Sequence, residues 1–220
     1  MSAAKKFYQQ TVRLERFYRV SLQLIDKHGA AALRTFPGVR TDAKVATTLS
    51  HVRRYLFELV LIRLVASIEA FLIDTVRSVY EIDKTPFLVS SKKHEFRQDQ
   101  LLKLKSTKDI ESIIIEKECR RLSAGGYPEI RKFYSGRLAT DIENLSNGSN
   151  QFEFYFDTRN VLIHRQGETD SQYREKHRYR GKYIIVKEEI LDTALQGAKA
   201  FRIQLHKSIG KQFFPKKKKQ

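Results

Sequence analysis

Cysteine is nearly absent from this chain, and its scarcity excludes several classes of site. The only thiol belongs to Cys119. One cysteine cannot form an internal disulfide framework, and it cannot supply the thiolates of a cysteine-based zinc site. The composition therefore fits a protein of the reducing cytoplasm, which is the location we expect.

Long uncharged apolar runs are also missing. Residues 1–10 contain two lysines and lack the apolar run and small-residue cleavage site of a signal peptide, so we expect no secretion. The most apolar segment, Leu59–Ile73, is interrupted by Arg63 and Glu69, and charges inside a bilayer are costly. We therefore predict a buried core helix at this segment and no membrane partner.

Sets of ligands for a metal or a cofactor are missing as well. The five histidines other than His164 lack the spacing of two histidines and a carboxylate that a catalytic metal needs. We interpret each of them as a surface or capping residue: His28, His51, His94, His177 and His206. The chain also lacks a glycine-rich loop that could hold a phosphate group. We expect neither a metal nor a cofactor.

Positive charge is present in clear excess. The chain has 42 lysines and arginines against 25 aspartates and glutamates, which gives a formal net charge of +17. Such a charge favours a polyanionic partner and fast, salt-sensitive association, so nucleic acid is the first partner to consider. The alternative is a solvated basic surface without a specific ligand.

Apolar residues recur at three- and four-residue steps along most of the chain, which predicts an all-α fold. Glycine and capping residues bound the predicted helices, and Gly29, Gly126 and Gly167 are each expected to end one. The predicted helices span residues 5–28, from Thr41 or Asp42 to Val79, 106–125, 128–147, 151–164 and 188–209.

These segments predict a bundle of five or six helices. Residues 101–104 favour a further short helix, and residues 183–186 are compatible with one short β element. We expect a single domain over residues 1–214, with the helix at 5–28 packed on it. The lysine-rich residues 215–220 then form a flexible basic tail.

One segment combines the residue types needed to cut a phosphodiester without a metal. Arg159 and Asn160 are followed, after an apolar triplet, by His164. An arginine can hold a phosphate with its planar fork of donors, and a histidine titrates near neutral pH and can transfer a proton. RNA cleavage needs a base for the 2′-hydroxyl, an acid for the leaving 5′-oxygen and positive charge beside the phosphate.

Helical spacing divides the motif residues between two faces. At about 100° per residue, Asn160 and His164 lie on one face, with Asp157 near the same line. Arg159 lies roughly 140° from His164, so it must reach back or act across to a second subunit. This spacing favours a site at a helix–helix or dimer interface, where two copies of His164 would supply both proton roles.

The motif Arg159-Asn160-x-x-x-His164, following a helical bundle, resembles the signature of the HEPN superfamily, particularly its ribonuclease members from bacterial defence and toxin systems. Residues 67–72 resemble the earlier core helix of that superfamily, which faces the motif. The resemblance covers about residues 55–205. It implies a HEPN-like helical domain over residues 1–214 that cuts RNA without a metal, as a dimer whose two motifs face one another.

The region after the motif adds both similarity and a departure. Gly167, Asp170 and Tyr173 are similar to the region that follows the motif in the superfamily. Arg165 and Gln166 stand where related sequences often carry small polar residues. This departure concerns the preferred substrate more than the chemistry.

The resemblance implies a role for each motif residue. Arg159 stabilises charge on the phosphate, His164 transfers the proton, and Asn160 orients one of them or the substrate. A polar residue on an earlier helix often completes such sites, and Glu69 is the candidate here. Alternatively, Glu69 is a core carboxylate paired with one of two arginines, Arg63 or Arg77.

A basic segment after the motif predicts contacts with RNA. Its cations alternate with aromatic residues, a mixture suited to phosphates and to base stacking. We assign RNA binding to Lys176, Arg178, Tyr179, Arg180 and Lys182. The alternative is a solvated loop in a chain that is basic throughout.

Taken together, the sequence predicts a metal-independent endoribonuclease that cleaves RNA by attack of its 2′-hydroxyl, in a defence or toxin–antitoxin setting. The expected partners are RNA, a second copy of the chain and an antitoxin or other regulatory protein. Two interpretations stay open beside it. One is a HEPN-type module that binds RNA or a nucleotide without cutting it, and the other is a scaffold in which Arg159 and His164 only pair with carboxylates such as Asp157.

Overall fold

The computed structural model describes residues 2–88, 95–96, 98–101, 104–146 and 151–214. Within these ranges the chain is an all-α bundle, as predicted. The helices are α1 (Ala3–Arg34), α2 (Asp42–Ile82), α3 (Gln98–Leu101), α4 (Thr107–Arg137), α5 (Gln151–His164), α6 (Ser171–Lys176) and α7 (Glu188–Phe213). Two 3-10 turns, Thr85–Phe87 and Asn144–Ser146, accompany them. The predicted basic tail at 215–220 lies outside the described residues.

The longer helices agree in number with the prediction, while the short elements differ from the short elements predicted. α3 is one turn of four residues, and it precedes most of the short helix predicted at 101–104. The segment 183–186 forms no strand within the described ranges. Instead, Glu168 and Tyr183 form a single antiparallel bridge.

α2 is the central helix of the bundle. It packs against α1, α4, α5 and α7. Leu61, Leu64, Ile68 and Leu72 are fully buried along its second half. Each such side chain stabilises the fold by about 1.5–3 kcal/mol relative to an exposed one. In the ranges described, no helix has the length and apolar character needed to cross a membrane.

Gly29 lies inside α1, so the prediction that α1 ends before this glycine is wrong. The helix continues to Arg34. A Cβ atom at Gly29 would lie 2.7 Å from Leu49 Cδ2 on α2. The missing side chain therefore allows α1 and α2 to approach closely, and the glycine serves packing rather than termination.

Gly126 divides α4 into two helical arms. Its backbone has φ 64° and ψ −160°, a conformation essentially limited to glycine. Pro128 then lies in the first turn of the second arm, where proline is tolerated. The predicted stop and restart are present, although the second arm ends at Arg137 rather than near residue 147. Thr140 N donates to Tyr134 O at 3.0 Å and closes that end of the helix.

Side-chain caps fix the start of two long helices where the sequence predicts them. Ser106 Oγ accepts from Asp109 N at 3.3 Å, and Asp109 Oδ2 accepts from Ser106 N at 2.9 Å. This reciprocal pair is the capping box of α4. Thr41 Oγ1 accepts from Lys44 N at the start of α2.

The polar segment between α5 and α7 is folded against the bundle. Gly167, with φ 85°, turns the chain after α5. Thr169 N donates to Lys182 O and Ile184 N donates to Gly167 O, which pairs the two ends of the segment. Arg54 on α2 donates to Ile184 O at 3.1 Å and connects the pair to the core helix. α6 lies between these two ends and was not predicted.

Candidate functional site

α5 carries two of the motif residues, Asn160 and His164, on the part of its surface that the core leaves free. Phe152, Tyr155 and Phe156 are buried and direct one side of the helix inward. Asn160 and His164 are exposed near its C-terminal end. The helix then stops at His164, where Arg165 N and Gly167 N both donate to Val161 O. The predicted bounds of this helix, 151–164, agree with the structure.

Asn160 and His164 line one cleft between α5 and α6. The cleft has a volume of about 290 Å³. Asp157, Asn160 and His164 line it from α5, in agreement with the face predicted from their spacing. The Asn160 and His164 side chains make no hydrogen bond to any described residue, so both are free to contact a ligand.

Arg159 faces α2 and does not line that cleft. Its Nη2 donates to Glu69 Oε2 at 2.5 Å, and Ser123 Oγ donates to Glu69 Oε1 at 2.7 Å. The structure thus brings Arg159 and Glu69 together, while it places His164 on another side of α5. Within the described ranges Glu69 pairs with neither Arg63 nor Arg77. Arg77 binds Asp74 and Glu116 instead.

Asp157 is the centre of a polar cluster that joins α5 to the end of α6. Its Oδ2 atom lies 2.7 Å from Lys176 Nζ and 2.8 Å from His177 Nε2. Lys176 also contacts Glu153 Oε1 at 2.8 Å. Burial opposes the charge on Lys176, but hydrogen bonds to the two carboxylates outweigh it and raise the pKa of this lysine.

His177 is predicted to be a surface or capping residue, and the structure agrees with the capping role only. It is the C-cap residue of α6. Its ring, however, packs against Phe154 and Tyr173 and leaves only a tenth of the side chain exposed. The ring is therefore part of the contact between α5 and α6.

The predicted RNA-binding segment divides into engaged and free side chains. Lys176 is held by Asp157 and Glu153, as described above, and Lys182 lies 3.4 Å from Glu168. The Tyr179 hydroxyl donates to Tyr183 O at 2.9 Å and accepts from a backbone N–H. Arg178 and Arg180 are exposed, and their guanidinium groups make no hydrogen bond or ion pair with another described residue.

The wall of the cleft opposite α5 contains one residue that the sequence did not single out, Gln172, beside three that it did. Gln172 and Tyr173 of α6 line it, together with Asp170 and Lys176. Asp170 Oδ1 accepts from Tyr173 N at 2.7 Å as the N-cap of α6, and that backbone bond lowers the pKa of Asp170. An aspartate directly before Ser171 is a helix-start signal, so the sequence did contain the information needed to find α6.

Tyr173 is held in place at the cleft by a hydrogen bond to α5. It is buried, and its hydroxyl lies 2.8 Å from Thr158 Oγ1, also buried. Burial raises the pKa of Tyr173 to about 12, although the hydrogen bond to Thr158 lowers it. The phenol therefore stays neutral at physiological pH.

The described residues contain no group of three or more histidine, cysteine or carboxylate side chains that could hold a metal ion. Comparison with known proteins finds no matching family model, no matching curated protein and no matching solved structure. The resemblance to the HEPN superfamily therefore depends on the residues named above.

Proposed function

We propose that this chain is a metal-independent endoribonuclease whose proton-transfer group is His164. The observation that carries the proposal is the exposed imidazole of His164 beside the Asn160 amide in one cleft, neither of which has a hydrogen-bond partner among the described residues. An exposed side chain that has no structural partner is available to contact a substrate. The spacing of the motif alone would not distinguish such a residue from a buried one.

In the proposed reaction, neutral His164 accepts the proton of a ribose 2′-hydroxyl. The 2′-oxygen attacks the adjacent phosphorus, the bond to the 5′-oxygen breaks, and that oxygen leaves with a proton from an imidazolium. The products are a 2′,3′-cyclic phosphate and a 5′-hydroxyl. Base and acid are both required, so a second His164 from another copy of the chain would supply the acid.

Exposed apolar residues near the motif support a homodimer. Ile163 follows Arg159 by four residues and therefore lies on the same side of α5, which faces α2. Ile163, Tyr55 and Leu59 are all large apolar side chains that remain exposed. A second copy covering this α2–α5 face would remove apolar surface from water and bring a second motif close to the first.

Arg159 is proposed to act on the phosphate while Glu69 holds it in place. Only one of the five N–H donors of the guanidinium bonds to Glu69. Its Nε is buried without a partner among the described atoms, so the donors left for a ligand are those on the terminal nitrogens. Because Arg159 and His164 face different sides of α5, they would act on one phosphate only across the proposed dimer.

The partners follow from the charge and from the resemblance. A net charge of +17 favours RNA, and the free guanidinium groups of Arg178 and Arg180 would contact its phosphates. The HEPN resemblance adds a defence or toxin–antitoxin setting, in which an antitoxin or other regulatory protein restrains the activity. The cytoplasm is the compartment where such a substrate is found.

Cleavage of single-stranded RNA in excess chelator tests the proposal. We expect cutting of RNA, no cutting of DNA of the same sequence because it lacks the 2′-hydroxyl, and loss of cutting in His164→Ala. The melting temperature of His164→Ala should stay within the range of a surface substitution, since the imidazole has no partner in the described structure. His28→Ala, at another exposed histidine, serves as the matched control and should cut normally.

Cutting that is lost in chelator, or full activity in His164→Ala, would contradict the proposed metal-independent nuclease.

A second function, a module that binds RNA or a nucleotide without cutting it, is favoured by one specific observation. Arg159 is already neutralised by Glu69 and lies outside the cleft that holds His164. Tight RNA binding without any cleavage product would support this second function.

A further inference from the structure

The α5–α6 cleft has the composition of a site for a flat, neutral polar ligand. Val161 and Tyr173 are buried residues of its lining, while Asn160, His164 and Gln172 are exposed polar residues of the same lining. A volume of about 290 Å³ is just below the roughly 300–1,000 Å³ of typical small-molecule sites. The cleft therefore suits a single ring system rather than a chain of several residues.

Three of the polar side chains at this cleft have no partner among the described residues. Asn160, His164 and Gln172 make no side-chain hydrogen bond in the part of the chain that the structure describes. Each amide presents a carbonyl acceptor and an N–H2 donor, which together match the edge of a heterocycle. The two amides are therefore available to form hydrogen bonds with a ligand.

The charged side chains of the cleft are, by contrast, already paired. Arg165 Nη1 lies 2.5 Å from Asp170 Oδ2, and Lys176 Nζ lies 2.7 Å from Asp157 Oδ2. Two cations and two anions cancel, so the cleft offers little net charge to a bare phosphate. The unpaired guanidinium groups of Arg178 and Arg180 lie in the loop after α6, outside the lining of the cleft.

α6 is held rigidly as the outer wall of the cleft. The Thr158–Tyr173 hydrogen bond and the contacts of Asp157 with Lys176 and His177 attach it to α5 at several points. The Phe154 ring of α5 also packs against the His177 ring, with 5.3 Å between their centroids. A site that is formed before the ligand arrives loses less ordering entropy on binding.

We propose that this cleft binds one unpaired base of single-stranded RNA and that Gln172 determines which base is preferred. The proposal depends on the nuclease function above, because His164 at the same cleft places the bound nucleotide beside the group that transfers the proton. The base lies against Val161 and Tyr173, and the Gln172 amide bonds to its edge. The phosphates remain outside, near the free arginines.

Binding of the four ribonucleoside 5′-monophosphates to the full chain tests the base site without any cleavage. We expect one base to bind at least about fivefold more tightly than the weakest, as one hydrogen bond of about 1 kcal/mol would produce. Gln172→Ala should remove most of that difference. Gln23→Ala, at an exposed glutamine on α1, should retain it.

A variant that fills the cleft gives a second measurement. Gln172 is exposed, so Gln172→Trp should fold normally, and its indole should block nucleotide binding. Equal binding of all four nucleotides that is unchanged in Gln172→Ala and Gln172→Trp would overturn the base site. Binding of inorganic phosphate as tightly as any nucleotide would overturn it as well.

The two proposals fail in different ways. A chain that cuts RNA with no preference at the cleaved position, and with unchanged activity in Gln172→Trp, retains the nuclease function and loses the base site. A chain that binds one nucleotide selectively through Gln172 but cuts no RNA retains the base site and loses the nuclease function.

Discussion

Arg159 and Glu69 form an ion pair that joins the motif on α5 to the central helix. Their side chains are only 20% and 16% exposed. Ser123 adds a hydrogen bond to the same carboxylate, so both oxygens of Glu69 are engaged. A pair this shielded from water is costly to break on one side only, because the remaining charge is left without a partner.

We therefore predict that Glu69→Ala destabilises the fold by about 1–3 kcal/mol, because it leaves the Arg159 guanidinium partly buried and unpaired. Removing both groups in Glu69→Ala with Arg159→Ala should cost less than the sum of the single changes. Denaturant unfolding of the three variants and the parent gives the coupling energy directly.

The exposed pair between Asp26 and Arg53 provides a control for this measurement. These side chains are 49% and 45% exposed, so Asp26→Ala should change stability by less than about 0.5 kcal/mol. If Glu69→Ala were as mild as Asp26→Ala, Arg159 would be held by its packing and not by the carboxylate.

At the scale of the element, glycine has opposite roles at different positions. Gly126 is outside the helical region of backbone conformation, whereas Gly197 is inside α7 with open space where a Cβ atom would lie. An alanine at residue 126 would be strained, while at residue 197 it would reduce the entropy of the unfolded chain.

We predict that Gly126→Ala destabilises the protein by about 1–3 kcal/mol and that Gly197→Ala stabilises it by about 0.4–1 kcal/mol. The same substitution thus has opposite signs, and thermal unfolding of both variants measures them side by side. A neutral result at residue 126 would mean that α4 can straighten through its kink at no cost.

The sequence predicted the elements whose signals are local. Ser106 with Asp109 marked the start of α4, the Gly126–Pro128 pair marked its kink, and residues 151–164 formed a helix with the predicted bounds. Each of these depends on backbone conformation or capping within a few residues. Such signals do not need knowledge of the tertiary structure.

What the sequence could not predict depends on contacts between distant residues. Gly29 appeared to be a terminator because its role, close packing against Leu49, exists only when α1 meets α2. The Arg159–Glu69 pair was likewise one of several possible ion pairs, since residues 90 apart along the chain give no spacing rule. Gln172 was not identified because it shares a cleft with Asn160 and His164 only when α6 packs against α5.

At the scale of the whole molecule, several acidic groups are buried in their neutral forms. Burial raises the pKa of the Cys119 thiol to about 11 and that of Tyr173 to about 12. Burial also raises the pKa of Tyr18, Tyr127 and Tyr134. In the unfolded chain these groups ionise at lower pH, so the unfolded state loses protons first as the pH rises.

We therefore predict that stability is unaffected by these groups below about pH 8 and falls steadily between about pH 8 and 12. The free energy of unfolding, measured with denaturant across this range, should decline in step with tyrosine ionisation of the unfolded state. Cys119→Ala should make the decline shallower between about pH 9 and 11. A constant free energy up to pH 11 would contradict the burial of these groups.

The net positive charge should attract RNA to the whole surface, and the salt dependence of binding distinguishes this general attraction from contacts at defined residues. Binding to single-stranded RNA should weaken with salt, and the logarithm of affinity should fall by about 0.7 per phosphate contacted for each logarithmic unit of salt. If Arg178 and Arg180 each contact a phosphate, replacing both with alanine should reduce the slope by about 1.4. The measurement uses His164→Ala, so that the RNA stays intact during titration.

Arg13 and Arg16 on α1 provide the matched control. Both are exposed, neither forms an ion pair or side-chain hydrogen bond with another described residue, and replacing both with alanine removes the same charge. Their loss should weaken long-range attraction slightly and leave the slope nearly unchanged, because they lie on a different helix from the cleft. Equal effects of the two double variants would mean that RNA contacts the basic surface everywhere, and that the loop after α6 has no special role in binding.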